Sequence, residues 1–305
     1  MRPDVWISER TPEGPREALR GLASLHDFPV EPGTGRLGHG DLLVAGHDVD
    51  AAVDAIPRIE GLRFVQTFSA GVDALVGRLP AGITLCDASG VHDVSVAEWV
   101  ILAILASNRG LPALVDAQRA SHWQPDHDRG DDLDGARILI LGYGSIGRAL
   151  EERLTPFGAT CIRVARRQRD GVHAMAELPT LLPEADILVV LLPLTPETHG
   201  LVGAEVLGRL RPGALLVNAS RGAVVDTPAL VAALSAGGLR AALDVTDPEP
   251  LPDGHPLWSA PGVLITPHVA GDVRREEDRA WQLVVEQVDG LARGEALRNI
   301  VTAGY

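Results

Sequence analysis

The sequence predicts an α/β fold built from doubly wound parallel sheets, and three observations carry that prediction. Short apolar runs of strand length alternate with helical segments through the first hundred residues. One stretch, Arg137 to Gly147, reads R-I-L-I-L-G-Y-G-S-I-G, a buried strand running into G-x-G-x-x-G, and Arg148 to Leu154 then reads as a helix. From there to Thr266, six or seven strand-like runs are separated by short helical ones, as a doubly wound sheet requires.

In chain order, Val5–Ile7 is a short strand, and Pro12–Leu25 includes a helix. His26–Gly40 is rich in glycine and proline and reads as irregular. Asp41–Ala45 is a strand, Ala51–Ile56 a short helix, and Leu62–Thr67 a strand that runs into F-S-A-G-V-D, Phe68 to Asp73. Ile83–Cys86 is another strand. Val94–Asn108 is strongly apolar, with Glu98 its one charge, and is long enough to favour helix over strand; it is expected to be buried between two packed bodies. The helix continues over Arg109–Trp123 after a break near Gly110 and Pro112. Gln124–Asp134 is acidic and loop-like, and composition places the first domain boundary there. Beyond the glycine turn come strands at Ala159–Val164, Ile187–Leu192, Leu215–Asn218, Leu239–Val245 and Val263–Thr266, with short helices at Leu178–Leu182 and Pro228–Ala236. Glu276–Arg293 is a long amphipathic helix.

The glycine turn sits where strand, tight turn and helix follow one another, the order that a dinucleotide pyrophosphate needs. Gly142 allows the tight turn, Gly144 lets the backbone approach the phosphates, and Gly147 lets the helix pack close to the strand. The free N–H groups and positive end of the following helix complete an anion site. The next strand ends I-R-V-A-R-R. Ala165 stands where an acid would hold the ribose hydroxyls of NAD, and Arg166 and Arg167 follow it. A carboxylate there would repel a 2′-phosphate, whereas two guanidiniums would clamp it, so NADP(H) is favoured over NAD(H). Asp170 lies too far on to serve as the usual acid.

Composition narrows the partners. The chain has 305 residues, 46% hydrophobic, enough for one large domain or two ordinary ones. A net charge of −14 argues against nucleic acid or an anionic membrane, while leaving room for a local positive pocket that takes a small anion. Cys86 and Cys161, the two cysteines, lie in strand-like runs and read as core thiols of a reducing compartment. No metal-ligand spacing is present. The N-terminal residues have no apolar signal core, and the longest apolar run, Trp99–Ala106, is eight residues, so a cytoplasmic protein is expected.

Three further motifs fall at strand ends: N-A-S-R-G (Asn218–Gly222), L-D-V-T-D-P-E-P-L-P (Leu243–Pro252) and T-P-H-V-A-G (Thr266–Gly271). Open α/β sheets gather ligands at the carboxyl ends of their strands. Hydride transfer to a ketone needs a cation, to hold a carboxylate and polarise the carbonyl, and an acid to protonate the new alkoxide. Arg221 supplies the first and His268 the second, and pairing with Glu249 would favour the protonated imidazole.

These motifs, with L-L-P-L-T-P-E-T (Leu191–Thr198) and the D-V-x-x-x-E-P spacing from Asp244, closely resemble the D-isomer-specific 2-hydroxyacid dehydrogenase family, which includes glyoxylate/hydroxypyruvate reductases and phosphoglycerate dehydrogenases. The resemblance covers most of the chain. It implies two Rossmann-like doubly wound domains, the cofactor domain (residues 99–273, including the interdomain helix) being inserted into a flavodoxin-like substrate domain (1–98 and 274–305). Carried over by position, Arg221, Glu249 and His268 form the catalytic trio. Ser145 and Ile146 would contact the pyrophosphate, and Leu192 and Pro193 would line the cofactor cleft. Ala219, Ser220 and Gly271 would also border the cofactor, and Asp244 would sit near the nicotinamide carboxamide. Backbone N–H groups near Ala70 and Gly71 would hold the substrate carboxylate, and V-A-E (Val96–Glu98) resembles the segment that opens the interdomain helix. The resemblance further implies a homodimer; since the chain stops just after the terminal helix, the added regulatory domain that some phosphoglycerate dehydrogenases carry is not expected. G-V-H-D-V-S (Gly90–Ser95) departs from the family, with His92 and Asp93 where relatives more often show small polar residues.

The expected activity is therefore reduction of a small 2-oxoacid, or oxidation of the D-2-hydroxyacid, with His268 as proton donor. Two alternatives stay open at this point: a dehydrogenase of the same fold with another donor, such as phosphite, and a non-enzymatic nicotinamide-nucleotide sensor. Formate dehydrogenases resemble the chain but pair the histidine with glutamine, so Glu249 argues against formate. Trp258, His92, Phe68 and the segment from Trp6 to Arg10 are candidates for shaping the substrate pocket.

Overall fold

The computed structural model describes residues 2–73, 75–126 and 130–302. The chain divides into two compact units, Met1–His92 with Arg274–Tyr305, and Asp93–Val273. Neither the loop at 124–134 nor residue 98 marks the divide. The whole of the helix expected from Val94 belongs with the second unit, because one of its faces packs on that unit's sheet.

The first unit is built on β1 (Asp4–Ser8), α1 (Glu13–Arg20), β2 (Ser24–Phe28), β3 (Leu42–Val44), α2 (Val49–Ala55), β4 (Phe64–Gln66) and β5 (Thr84–Cys86). All pairs are parallel, in the order β2-β1-β3-β4-β5, the flavodoxin-like doubly wound order. Alternation along β1 explains its two-sided burial. Val5 and Ile7 pack with Val44 and with Ala280, Trp281, Val284 and Val288 of the terminal helix Glu276–Arg293. Trp6 points to the opposite face, among Phe28, Leu43, Val65 and the alanines of α2. Each such fully buried aliphatic side chain contributes about 1.5–3 kcal/mol. A buried amide network adds specificity. Gln287 Nε2 donates to Gln66 Oε1 (2.9 Å) and to the Arg298 carbonyl (2.8 Å), and Gln66 Nε2 donates to the Thr67 and Asp87 carbonyls.

Two expectations for this unit are corrected. Ser24–Phe28 is a strand although His26 onward reads as irregular: it is an edge strand in which only Phe28 is fully buried, so its sequence lacks a clean apolar alternation. Trp6 lies in the core and not in a loop; its indole donates to the His39 carbonyl (2.9 Å) and stacks on His26.

The second unit begins with α3 (Asp93–Asn108) and α4 (Leu111–Arg119). Then follow β6 (Arg137–Leu141), α5 (Ser145–Leu154), β7 (Thr160–Ala165), β8 (His173–Ala174), α6 (Leu178–Leu181), β9 (Ile187–Val190), α7 (Ala204–Arg209), β10 (Ala214–Asn218), α8 (Thr227–Ser235), β11 (Leu239–Leu243) and β12 (Val263–Ile265). These strands form one parallel sheet in the order β8-β7-β6-β9-β10-β11-β12. The chain winds outward from β6 to β8, then returns to the other side of β6, so the gap between β6 and β9 is the topological switch point. Val96, Val100, Ala103 and Ile104 of α3 pack on one face with Ile138, Ile140, Leu215 and Val217. The helix is not buried all round: Glu98 is exposed, and Leu102 stands 60% exposed. No single helix among the described residues is long and apolar enough to cross a membrane; α3 and α4 meet that test only as a pair bent by 69°.

The strand at Ile187 ends at Val190, and the one at Leu239 ends at Leu243. The apolar residues beyond them, Leu192 and Val245, are buried loop residues that cap the core. Cys86 is buried as expected, whereas Cys161 is half-buried; both are free, and burial pushes each thiol up to about 11.

Candidate active site

Strand register gathers the motifs at one end of the second sheet. Val190 pairs with both Leu141 and Asn218, Asn218 with Leu243, and Leu243 with Ile265. Every loop named from the sequence in this unit therefore leaves the same carboxyl edge.

The glycine turn follows Leu141. Gly142 adopts φ +105°, and a Cβ there would lie 2.5 Å from the Leu191 carbonyl oxygen, so only glycine fits. The N–H groups of Gly142 and Tyr143 donate to the Val164 carbonyl and lock the turn to β7. Gly147 packs tightly against Gly142, Ile140 and Tyr143, whereas the Cβ direction of Gly144 opens into free space. That open backbone, with α5 starting at Ser145 and no side chain capping it, is a cradle that fits a pyrophosphate. Ile146 packs partly onto the core behind the turn. Ser145 Oγ donates to Asp93 Oδ1 at 3.0 Å.

Arg166 and Arg167 are exposed after β7, as the sequence places them. Glu197 is held below the usual carboxylate range by the Thr195 hydroxyl first, its own backbone next and the charge of Arg166 last. A third cation, Arg169, escapes the sequence reading. Its guanidinium donates to the Tyr143 carbonyl and lies 5.9 Å from the Tyr143 ring centre. Arg163 flanks the same ring while paired with Glu151 at 2.7 Å, and the Tyr143 hydroxyl bonds that carboxylate too. An arginine four residues past Ala165 was the available signal.

The side chain of Leu192 sits in the core. Pro193 is half-buried, and its carbonyl accepts from Thr198 Oγ1 (2.6 Å). Across β10, Ala219 N–H donates to the Val190 carbonyl. Asn218 shapes the arginine turn: its buried Oδ1 accepts from the N–H (3.1 Å) and the hydroxyl (2.7 Å) of Ser220, and its Nδ2 donates to the Arg221 carbonyl. Arg221 Nη1 donates to the Ser220 carbonyl (2.9 Å). Gly222 has no room for a side chain, since a Cβ would lie 1.9 Å from the Thr246 carbonyl oxygen. This close approach seats the arginine turn against the segment that leads to Glu249.

His268 and Glu249 are brought together, Nδ1 to Oε1, at 2.6 Å. His268 takes a left-handed φ of +57°, uncommon for a residue with a side chain. Asp244 holds it there. Its carbonyl accepts the His268 N–H (2.7 Å). Its buried carboxylate accepts from Thr266 Oγ1 (2.6 Å) and the N–H groups of Val269 (2.9 Å) and Ala270 (2.8 Å). Asp244 thus spends its carboxylate on the histidine loop, a role the sequence reading did not foresee. Gly271 follows the clamped residues and is half-buried.

In the first unit, the loop after β4 is also tightly folded. Thr67 Oγ1 donates to the Ser69 carbonyl and accepts its N–H, and Gly71 N–H donates to Ser69 Oγ at 3.1 Å. Ala70 is half-buried beside it. Phe68 is buried edge-on to His47 and Trp281. Trp258 is exposed in the second unit, with its indole donating to the Pro252 carbonyl. Among the described residues, no group of three or more His, Cys, Asp or Glu is arranged to hold a metal ion.

A phosphate-binding turn at the switch point, with an imidazole–carboxylate pair at the carboxyl edge of the same sheet, defines the class: an oxidoreductase that works with a nicotinamide nucleotide. Comparison with known proteins makes this particular. The model for the D-isomer specific 2-hydroxyacid dehydrogenase NAD-binding domain matches residues 101–270, more than half of the chain. The chain belongs to the D-isomer specific 2-hydroxyacid dehydrogenase family. It is 32% identical to glyoxylate/hydroxypyruvate reductase B of Pectobacterium atrosepticum, covering 99% of this chain and 98% of that one. It is 35% identical to the D-3-phosphoglycerate dehydrogenase of Mycobacterium tuberculosis, over 76% of this chain but only 44% of that protein. Its fold resembles that of an NADPH-dependent glyoxylate/hydroxypyruvate reductase from Sinorhizobium meliloti, solved with NADP and sulfate, at a TM-score of 0.84 and 27% identity over the full length of both chains.

Proposed function

We propose that this protein is an NADP(H)-dependent 2-oxoacid reductase, equivalently a D-2-hydroxyacid dehydrogenase, acting on a small substrate of the glyoxylate or hydroxypyruvate class. The observation that carries the reading is the 2.6 Å His268–Glu249 pair at the same sheet edge as the glycine turn. In this reading the second unit binds the dinucleotide, and the loop of the first unit binds substrate. The N–H groups of Ala70 and Gly71 receive the substrate carboxylate, Gly71 giving up its bond to Ser69. Arg221 fixes the carboxylate and carbonyl of the 2-oxoacid. A bound reduced nicotinamide supplies the hydride for the 2-carbon. His268, protonated, offers its Nε2 proton to the developing alkoxide, while Glu249 holds Nδ1–H and stabilises the imidazolium. Asp244 fixes the loop, so the proton donor needs no reordering during the reaction.

The preference for NADP(H) is supported by Ala165, which places no carboxylate at the ribose site, and by Arg166 and Arg167, with Arg169 beside them. The reductase from S. meliloti was solved with NADP, which agrees. We further propose a homodimer, on the evidence of exposed apolar side chains on and after the first two helices of the second unit: Leu102, Leu111 and, 89% exposed, Trp123. A reducing, cytoplasmic setting accords with two free, largely shielded thiols. The direct test is loss of reduced-nicotinamide absorbance with NADPH and with NADH against glyoxylate, hydroxypyruvate, pyruvate and phenylpyruvate. NADPH oxidation by one of the smaller acids supports the reading. Nucleotide binding with no oxidation of any of them counts against it.

A further inference from the structure

Two consecutive residues, His92 and Asp93, stand where the chain passes from the first unit into the second. Each commits its side chain to a loop given a role above. His92 Nε2 lies 2.8 Å from the Phe68 carbonyl, at the head of the loop that contains Ala70 and Gly71. A carbonyl only accepts, so Nε2 carries the proton. The imidazole is largely enclosed, with Glu276 Oε1 at 3.9 Å. Asp93 opens α3 and accepts the Ser145 hydroxyl at 3.0 Å, Ser145 being the first residue of α5 behind the open Gly144. Each bond lies within its own unit, and the single peptide between the two residues joins them.

We propose that His92 and Asp93 are a pair of positioning residues that tie the carboxylate-holding loop to the nucleotide-holding turn. The proposal rests on the roles assigned to those two loops in the preceding subsection. The physical link is a competition for one proton. The Ser145 hydroxyl can donate to the Asp93 carboxylate or to a phosphate oxygen, but not to both. A pyrophosphate at the start of α5 also brings negative charge next to the Asp93 carboxylate. Nucleotide binding therefore loosens the anchor of Asp93, and the adjoining residue is the one that holds the Phe68 carbonyl. Occupancy of the turn is thereby read at the substrate loop, and by linkage the reverse holds equally.

The test is a binding cycle on the full-length protein. Calorimetry gives the affinity of oxamate, an unreactive carboxylate of 2-oxoacid shape, with and without saturating NADPH. The ratio of the two is the coupling. It is measured for the wild type, His92→Ala, Asp93→Ala and the double variant, with thermal melts confirming that each is folded. The tie predicts a wild-type ratio well away from one, shrinking by about fivefold or more in either single variant and no further in the double variant. His92→Gln, whose amide can reach the same carbonyl, restores the ratio. Asp93→Asn, which still accepts from Ser145 but carries no charge, keeps more of the ratio than Asp93→Ala while binding NADPH more tightly. A wild-type ratio near one, equal ratios in all variants, or losses that add in the double variant overturn the tie while leaving the proposed function standing. Failure of NADPH to bind the wild type overturns both.

Discussion

His268 is held from several directions by groups that lie far from it in sequence. Glu249 takes Nδ1, the Asp244 carbonyl takes the backbone N–H, and the Asp244 carboxylate fixes residues 266, 269 and 270. His268→Ala is expected to lower turnover by about 10²–10⁴-fold with nucleotide affinity unchanged, read from steady-state rates and fluorescence titration of NADPH. Equal loss of both would remove the proton-donor role. Replacing Arg166 and Arg167 together by alanine is expected to weaken NADPH by about tenfold or more relative to NADH, since each guanidinium–phosphate bond is charge-assisted. An unchanged ratio of the two Kd values would make those arginines bystanders. The His268–Glu249 pair, which the structure brings together, was legible in the sequence because proton transfer needs particular residue types at strand ends. Their supports were not. Asn218, Thr266 and Arg169 act through hydrogen bonds to backbone or to side chains brought near by folding, and nothing in the linear order distinguishes them from ordinary polar residues.

At the scale of elements, two contacts explain why the loops keep their shape. Gly222 is pressed against the Thr246 carbonyl, so Gly222→Ala forces the arginine turn away from the Glu249 segment. That substitution is expected to cost about 1–3 kcal/mol in urea unfolding, and to reduce turnover as well. A wild-type midpoint would mean that the close approach is not maintained in solution. In the first unit, Gln287→Ala leaves Gln66 Oε1 and the Arg298 backbone without their partner, at a cost of about 1–3 kcal/mol. Elements with a strong period were readable to the residue, as Glu276–Arg293 and Arg137–Leu141 show. The edge strand Ser24–Phe28 was not, because a strand paired on one side with a single fully buried side chain, Phe28, carries little apolar signal. The six-residue helix Ala204–Arg209 was missed for a related reason, being too short to show a period.

For the whole molecule, the two doubly wound sheets divide the labour in the proposed function, and α3 stays with the second because Val96, Val100, Ala103 and Ile104 pack on that sheet. The α/β character was legible from alternation alone, while the first crossing between the units, after His92, was not, since a helix's allegiance depends on which sheet it packs against. The proposed homodimer predicts that light scattering gives twice the 32.2 kDa chain mass, and that glutamate at Leu102 and Trp123 together yields monomer. A monomeric wild type would reassign that exposed face. Mixing the protein with NADPH and hydroxypyruvate or glyoxylate and following nicotinamide absorbance decides whether the protein is a 2-oxoacid reductase. Steady oxidation of NADPH is expected, faster than of NADH and about 10²–10⁴-fold slower in His268→Ala. No oxidation of either nucleotide with any small 2-oxoacid, by a protein that binds both, would contradict it.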